Sequence, residues 1–375
     1  MLDRKAIIRS ASYSILLSLL LALSGCDSSS TGPGKGDVSL SAQLQNLVVS
    51  YKIPGAVGIV VNDSSIVDIQ AFGVRRSGAD EKVTQENLFH LGSIGKSMTA
   101  TMIAKLVDDG VLSWESKPAD FIPDLADSID PGYNDITLVD LLRHRAGTPA
   151  DDDLPYVPTF TGTLRQQRVQ GARWVLTKPP AVSPGTFHYS NAGYVIAAAM
   201  AEAATGQDWR ELMDLLLFDP LGIDAFYGWP TEHGPDQPSG HEPAGYGYQP
   251  VEPSIEPQNI RFIEPAGFIS MSISDLAEFM ELHVDASRGN PRLLTQAAFD
   301  VLHTPVGDYG CGLAIVNTSD GTLYWHDGSN DYFFAVMYML PDRNVGVAIA
   351  VNAGGEKAER QTQVAATAVL KSLID

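Results

Sequence analysis

Hydrophobic and polar positions divide the chain into β-type runs near both ends and helical runs between them. Apolar residues spaced three or four positions apart predict a helix over residues 40–51, and two apolar runs then predict strands over 56–61 and 66–72. Toward the C-terminus, similar patterns predict four strands and a last helix, over residues 312–317, 322–326, 332–340, 345–352 and 356–373. This order predicts an α+β fold, in which one sheet receives strands from both ends and a helical lobe, about 111–265, is inserted between them.

The segment from Ser93 to Asp109 predicts a central helix. It is apolar nearly all round between Ile94 and Val107, and Gly110 follows it as a stop signal. Shorter helical patterns cover residues 138–144, 166–176, 192–204, 209–218 and 273–283. Two polar stretches predict exposed loops, Asp151-Asp152-Asp153 and residues 231–253, and the second is a candidate lid at the edge of a cleft.

The first 25 residues have the pattern of an export signal. Basic residues at positions 4, 5 and 9 precede a short apolar run, which closes on Leu23-Ser24-Gly25-Cys26. The run is too short to cross a bilayer and resembles a bacterial lipoprotein signal, with the lipid on Cys26. An ordinary signal peptide with a coincidental cysteine is the alternative. The lipoprotein interpretation predicts a flexible tether over 26–37 and a membrane-anchored body in the cell envelope, facing the periplasm.

Composition narrows the function classes. The 375 residues are 44% hydrophobic and 19% charged, which is typical of a folded globular protein. The formal charge of -20 argues against a nucleic-acid partner, and we expect a monomer that acts on a small or cell-wall-derived substrate. Of the two cysteines, Cys26 is the predicted lipidation site, so no internal disulfide is expected. Cys311, in an apolar run, is predicted to be a small buried residue.

Ser93-Ile94-Gly95-Lys96 is the first candidate for chemistry. Residues three apart share a helix face, so the Ser93 hydroxyl and the Lys96 amine can meet. Burial lowers the pKa of a lysine, which would let Lys96 help to activate Ser93. The alternative is a capping serine followed by an ordinary helix lysine, although a lysine near the start of an apolar helix is costly without a partner.

Two later motifs carry further candidates. In Tyr189-Ser190-Asn191, the tyrosine can act as a general base beside a lysine, and the asparagine amide can orient a substrate carbonyl. A packing aromatic followed by a helix cap is the alternative. His326-Asp327-Gly328-Ser329 either forms a hairpin turn or lies on the cleft edge, where Gly328 allows close approach and the Ser329 N–H binds an oxyanion.

The three motifs together resemble the class C β-lactamase family, which includes penicillin-binding proteins, D-amino-acid peptidases and esterases. They occur in that family's order and spacing, and the flanking segments 89–92, 136–147 and 184–194 and the strand pair 333–340 and 345–352 are similar too. The resemblance covers about residues 40–370. It implies an antiparallel sheet flanked by terminal helices, with the cleft between the sheet and the inserted helical lobe.

The resemblance also implies roles for the residues. Ser93 attacks an acyl carbon, Tyr189 and Lys96 move protons, and Asn191 orients the substrate. The N–H groups of Ser93 and Ser329 hold the oxyanion, and no cofactor or metal is required. This combination predicts a metal-independent serine hydrolase.

Two departures from the family pattern bear on the substrate. His326-Asp327-Gly328 stands where β-lactamases of this class usually carry Lys-Thr-Gly, and Gly95 stands where many relatives have a small hydroxyl residue. The histidine is mostly neutral and the aspartate is an anion, so the site lacks a fixed cation for a substrate carboxylate. If Asp327 points into the cleft, it should repel such a carboxylate. Otherwise it faces solvent or pairs with His326.

Two other functions compete with the serine hydrolase. A catalytically silent lipoprotein could keep the fold and bind peptidoglycan or a small ligand, but Ser93, Lys96 and Tyr189 are all intact. A metal-dependent hydrolase has only scattered histidines in its favour, and these show no metal-ligand spacing. His144, in the run Leu-Leu-Arg-His-Arg-Ala-Gly-Thr, is predicted to be a structural hydrogen-bonding residue.

Overall fold

A computed structural model describes residues 38–63, 65–122, 124–153, 157–252 and 258–374. The predicted signal peptide, the lipidation site Cys26 and the tether lie outside these described residues. Within the described ranges, no helix combines the length and the apolar character that crossing a bilayer requires.

Helices occupy most of the middle of the chain. The α-helices are α1 (Leu40–Val49), α2 (Gly95–Asp108), α3 (Pro118–Phe121), α4 (Leu138–Leu142), α5 (Leu164–Leu176), α6 (Asn191–Thr205), α7 (Trp209–Met213), α8 (Asp219–Leu221), α9 (Pro230–His233), α10 (Ile273–Ser287), α11 (Gln296–His303) and α12 (Glu356–Ser372). Short 3₁₀ segments cover Gly92–Ile94, Pro131–Tyr133, Asp151–Asp153, Gln258–Ala266 and Pro341–Arg343, and a π-helical turn covers Asp214–Phe218.

Strands lie mainly at the two ends of the chain. They are β1 (Gly55–Asn62), β2 (Ser65–Gly73), β3 (Phe89–His90), β4 (Ala225–Tyr227), β5 (Gly240–Ala244), β6 (Gly247–Val251), β7 (Ile269–Met271), β8 (Ala314–Thr318), β9 (Gly321–Ser329), β10 (Phe334–Leu340) and β11 (Val345–Val351). Six of them form one antiparallel sheet in the order β2-β1-β11-β10-β9-β8. Because β1 pairs with β11, with Ala56 opposite Val351, the predicted α+β fold with a sheet from both ends is confirmed.

The sheet separates two hydrophobic layers. One face packs against α1 and α12 through residues that include Leu44, Val336 and Ala366. The other face packs against α10 and the central helices through residues that include Met337 and Phe279. Since successive side chains of a strand point to opposite faces, neighbouring residues of β9 belong to different layers.

Helix α2 lies at the centre of the molecule, as its all-round apolar pattern predicts. Every residue from Gly95 to Ala104 is buried. The start of the helix differs from the prediction, because Ser93 belongs to the 3₁₀ segment Gly92–Ile94 that precedes α2. Gly92 adopts a left-handed φ of 51°, a conformation that glycine reaches without strain, and this sets the sharp entry into the helix.

The prediction of a loop over residues 231–253 is wrong, because β5 and β6 form a hairpin there. Backbone hydrogen bonds tie the hairpin to the segments that precede β10 and follow β11, the two central strands of the main sheet. The His241 N–H donates to the Tyr332 carbonyl at 3.0 Å, and the Gly354 N–H donates to the His241 carbonyl at 3.0 Å. The sequence signal was masked by the proline and glycine residues of this stretch, which usually interrupt strands.

The alternative of a hairpin turn at residues 326–329 is also wrong. All four residues lie inside β9, where Gly328 is opposite Ala335 and Asp327 is opposite Val336 of β10. Asp-Gly favours a tight turn locally, but pairing along the whole of β10 holds this stretch extended. The chain reverses only after Ser329.

Candidate active site

Ser93 lies at the junction of the 3₁₀ segment and α2, with its side chain partly exposed. The backbone of β9 packs directly against this junction. A Cβ built on Gly328 would overlap the Leu91 carbonyl oxygen and the Ser93 nitrogen, and one on Gly92 would overlap the Ser329 nitrogen. Glycine at both positions therefore allows the close approach. The Ser93 and Ser329 backbone nitrogens both lie at this contact between β9 and the start of α2.

Lys96 extends from the first turn of α2 back to Ser93. Its Nζ lies 2.9 Å from Ser93 Oγ and 2.7 Å from the Ala266 carbonyl oxygen. The side chain is fully buried, and burial lowers the pKa of Lys96 to about 7, although the charges of Asp151 and Asp327 oppose this shift. A large fraction of Lys96 is therefore neutral near pH 7 and able to accept a proton.

Tyr189 completes the contact with Ser93. Its hydroxyl is hydrogen-bonded to Ser93, and the Lys96 Nζ lies 4.9 Å from the centre of its ring. Burial raises the pKa of Tyr189 well above its ordinary value, with a further contribution from Tyr309. The phenol is therefore protonated at neutral pH, so in the resting site it is a proton donor rather than a base.

His144 supports the motif that carries Tyr189. Its Nδ1 accepts a hydrogen bond from the Ser190 N–H at 3.1 Å, and its ring packs on the Tyr189 ring with centroids 4.2 Å apart. Burial keeps the pKa of His144 well below its ordinary value, so the ring is neutral. The predicted structural hydrogen-bonding role of His144 is confirmed, and its effect is to fix the position of Tyr189.

Asn191, the first residue of α6, is only 5% exposed. Its Nδ2 donates to Asp151 Oδ2 at 2.7 Å, whereas its Oδ1 has no hydrogen-bond partner among the described residues. Asp151 was assigned from sequence to an exposed loop, and the structure instead places it at the site. The only sequence signal was its position within three consecutive aspartates, which does not indicate a contact with a residue 40 positions later.

His326 faces the site from β9, but neither of its ring nitrogens offers a free N–H group to a substrate. Its Nδ1 lies 2.5 Å from the Asp327 carbonyl oxygen and therefore donates to it, which leaves Nε2 as the acceptor for the Tyr309 hydroxyl at 3.2 Å. Burial, with the nearby Lys96, lowers the pKa of His326 to about 3. Both ring nitrogens are thus engaged in a neutral imidazole. Sequence reasoning did not single out Tyr309.

Asp327 belongs to the opposite face of β9. Its Oδ2 accepts a hydrogen bond from Gln363 Nε2 of α12 at 2.7 Å, and the next residue on that face, Ser329, donates through Oγ to Glu359 at 3.0 Å. The side chain is half-buried, does not pair with the His326 side chain, and contacts the terminal helix rather than the Ser93 side of the strand. Burial raises the pKa of Asp327 to about 6.

Cys311 is buried as predicted, with 1% of its surface exposed. Burial raises the pKa of its thiol to about 11, so the thiolate needed for nucleophilic chemistry is scarce at neutral pH. Within the parts of the chain that the structure describes, no group of three or more histidine, cysteine or acidic residues is placed to hold a metal ion. Ser93 is therefore the nucleophile that the geometry favours.

Comparison with known proteins agrees with this geometry. Penicillin-binding protein 4 of Amycolatopsis lactamdurans is 26% identical over 323 residues, which cover 82% of this chain and 83% of that protein. Unguisins hydrolase ungD of Aspergillus violaceofuscus is 26% identical over 356 residues, covering 84% of this chain and 61% of that protein. The octameric penicillin-binding protein homologue from Pyrococcus abyssi shares the fold, with a TM-score of 0.74, 22% identity, and coverage of 88% of this chain and 77% of that one.

The family model described as Beta-lactamase matches residues 40–370, which is most of the chain. This range contains Ser93, Lys96, Tyr189 and β9, the parts that meet at the site. The chain therefore belongs to the β-lactamase family of serine hydrolases.

Proposed function

We propose that this protein cleaves ester or amide bonds through an acyl-enzyme on Ser93, without a metal ion. The observation that carries the proposal is the 2.9 Å contact between Ser93 Oγ and the fully buried Lys96 Nζ. A lysine is costly to bury unless its lowered pKa or its hydrogen bonds are used. Here the lowered pKa places a proton acceptor beside the nucleophile.

The reaction uses each group in turn. Neutral Lys96 accepts the Ser93 hydroxyl proton as Oγ bonds to the acyl carbon, and the N–H groups of Ser93 and Ser329 bind the oxyanion. The bond to the leaving group then breaks, and Tyr189 donates its proton to that group and is reprotonated from Lys96. Water hydrolyses the resulting ester by the same proton path in reverse, which releases the acid and restores Ser93.

The site favours substrates without a carboxylate near the scissile bond. His326 is neutral, and its ring nitrogens are already bonded to the Asp327 carbonyl and the Tyr309 hydroxyl. It therefore offers a carboxylate neither a positive charge nor an N–H donor. The charge of Asp327, although on the other face of β9, acts on Lys96 and Tyr189 and further disfavours an anion.

This preference is tested with a matched pair, the chromogenic cephalosporin nitrocefin and its methyl ester, which differ only in the carboxylate. The methyl ester is expected to acylate the enzyme faster, roughly tenfold or more in kcat/KM, because no group of the third motif binds the anion. Equal or faster acylation by nitrocefin contradicts the preference.

A neutral ester serves as the baseline for the same experiment. p-Nitrophenyl acetate should be hydrolysed at the same rate with and without a chelator. Loss of hydrolysis on chelation contradicts metal independence. Absence of any acylation by any of the three compounds would identify a catalytically silent protein of this fold.

We also propose that the protein is anchored to a membrane by a lipid on Cys26, because Leu23-Ser24-Gly25-Cys26 closes the apolar run of the leader. Full-length protein expressed in bacteria should incorporate labelled palmitate and partition into detergent, whereas Cys26→Ala should do neither. Cys311→Ala is the matched control, since that thiol is buried, and it should keep the label. A lipid label that persists in Cys26→Ala overturns the anchor.

A further inference from the structure

Asp151 and Asn191 form an acceptor-rich corner beside Ser93. Asp151 lies in the 3₁₀ turn Asp151–Asp153, and its carboxylate accepts the hydrogen bond from Asn191 Nδ2 at 2.7 Å. Asn191 begins α6, two residues after Tyr189, so the pair lies next to the reacting groups. The charge of Asp151 also acts on Lys96 and Tyr189.

The orientation of the Asn191 amide is fixed by this contact. An ionised carboxylate only accepts hydrogen bonds, so the end of the amide that meets Asp151 must be the NH₂ group. The other end, Oδ1, is buried without a donor among the described residues. A buried carbonyl oxygen left without a donor is costly, so such an atom is normally hydrogen-bonded to another protein group, an ordered water or a ligand.

A substrate can supply that donor. The corner presents a carboxylate and a carbonyl oxygen side by side, both of which accept hydrogen bonds. Across the site, His326 contributes no positive charge, and the Asp327 and Glu359 carboxylates lie behind β9. An ammonium group, which carries three donors and a positive charge, matches two acceptors of which one is a carboxylate.

We propose that Asp151 and Asn191 Oδ1 form a subsite for an ammonium group on the carbon next to the scissile carbonyl. The preferred substrates are then esters or amides of amino acids with a free α-amine. The α position follows from the place of Asn191, two residues after Tyr189, whose hydroxyl is hydrogen-bonded to Ser93. The proposal rests on the proposed hydrolase function and names its substrate class.

The test compares alanine p-nitroanilide with N-acetylalanine p-nitroanilide, each as the D and the L form. The wild-type protein is expected to prefer the free amine in kcat/KM for at least one enantiomer. Asp151→Asn keeps the shape and removes the charge, so it should lower the ratio of free to acetylated substrate by roughly 10- to 100-fold, the usual range for losing one charge-assisted hydrogen bond.

Asp153→Asn is the matched control. It removes the same charge two residues away, where Asp153 pairs with His188 at 2.5 Å and accepts from the Ala150 N–H. Asp153→Asn should leave the ratio of kcat/KM for the free-amine substrate to kcat/KM for the acetylated substrate unchanged. An unchanged ratio in Asp151→Asn, or an equal fall in both variants, overturns the subsite.

A measurement on the wild-type protein covers the case in which Asp151→Asn does not fold. Alaninamide should inhibit hydrolysis of p-nitrophenyl acetate more strongly than N-acetylalaninamide, and equal inhibition overturns the subsite. p-Nitrophenyl acetate carries no amine, so its hydrolysis reports the proposed function separately. If this ester is not hydrolysed, the hydrolase proposal fails, whereas hydrolysis without any preference for the free amine rejects only the subsite.

Discussion

Ser93→Ala is expected to reduce ester hydrolysis to the uncatalysed background, a loss of roughly 10⁵-fold or more in kcat, as is usual when a covalent nucleophile is removed. The reason is geometric. Lys96 Nζ lies 2.9 Å from Ser93 Oγ, and the neighbouring hydroxyl that could replace it, Ser97 Oγ, donates instead to the Ile94 carbonyl at 2.7 Å. The rate is measured with p-nitrophenyl acetate at saturating substrate.

Ser97→Ala is the matched control for this variant. It removes a hydroxyl one turn after Ser93, from a buried residue whose Oγ donates to the Ile94 carbonyl. Activity in this variant should stay within a few-fold of wild type. If Ser93→Ala hydrolyses the ester clearly faster than a sample without enzyme, a different residue is the nucleophile.

Tyr189→Phe is expected to reduce kcat by roughly 10²–10⁴-fold, the range for losing a general acid or base. The phenol is hydrogen-bonded to Ser93, and the Lys96 Nζ lies over its ring. Acylation should still rise with pH through about 7, because the neutral form of Lys96 accepts the proton and this form is populated above its pKa. The rate is therefore measured as a pH profile.

Tyr194→Phe provides the comparison. The Tyr194 ring also lies near Lys96, with Nζ 5.7 Å from its centre, but its hydroxyl donates to the Leu142 carbonyl at 2.8 Å. Loss of the Tyr194 hydroxyl should lower the free energy of unfolding and have only a small effect on kcat. If Tyr189→Phe is as active as Tyr194→Phe, Lys96 alone moves the protons, and the Tyr189 motif serves only to begin α6.

The parts of the fold that the sequence predicts well are those in which local pattern and tertiary role agree. Strands β1, β10 and β11 are apolar and buried on both faces, and β1 and β11 are rich in β-branched residues. The spacing of Ser93 and Lys96 places them on one helix face whatever surrounds them. The sequence therefore predicted correctly that the Ser93 hydroxyl and the Lys96 amine meet.

The parts that the sequence does not predict depend on contacts between distant segments. Asp151 reaches Asn191, and Tyr309 reaches His326, across elements whose packing no local pattern specifies. The strand register decides the face to which the Asp327 side chain points. A shift of one residue along β9 would move this side chain from the face that packs against α12 to the face of the active site. These contacts, rather than the motifs, distinguish the substrate classes considered above.

The central claim is that Ser93 forms a covalent acyl-enzyme, and intact-mass measurement of protein treated with a fluorophosphonate tests it most directly. Wild-type protein should gain the mass of one phosphonyl group, and peptide mapping should place that group on Ser93. Ser97→Ala should gain the same mass, and Ser93→Ala should gain none. A full adduct on Ser93→Ala, or an adduct of the wild-type protein on another residue, would contradict the account.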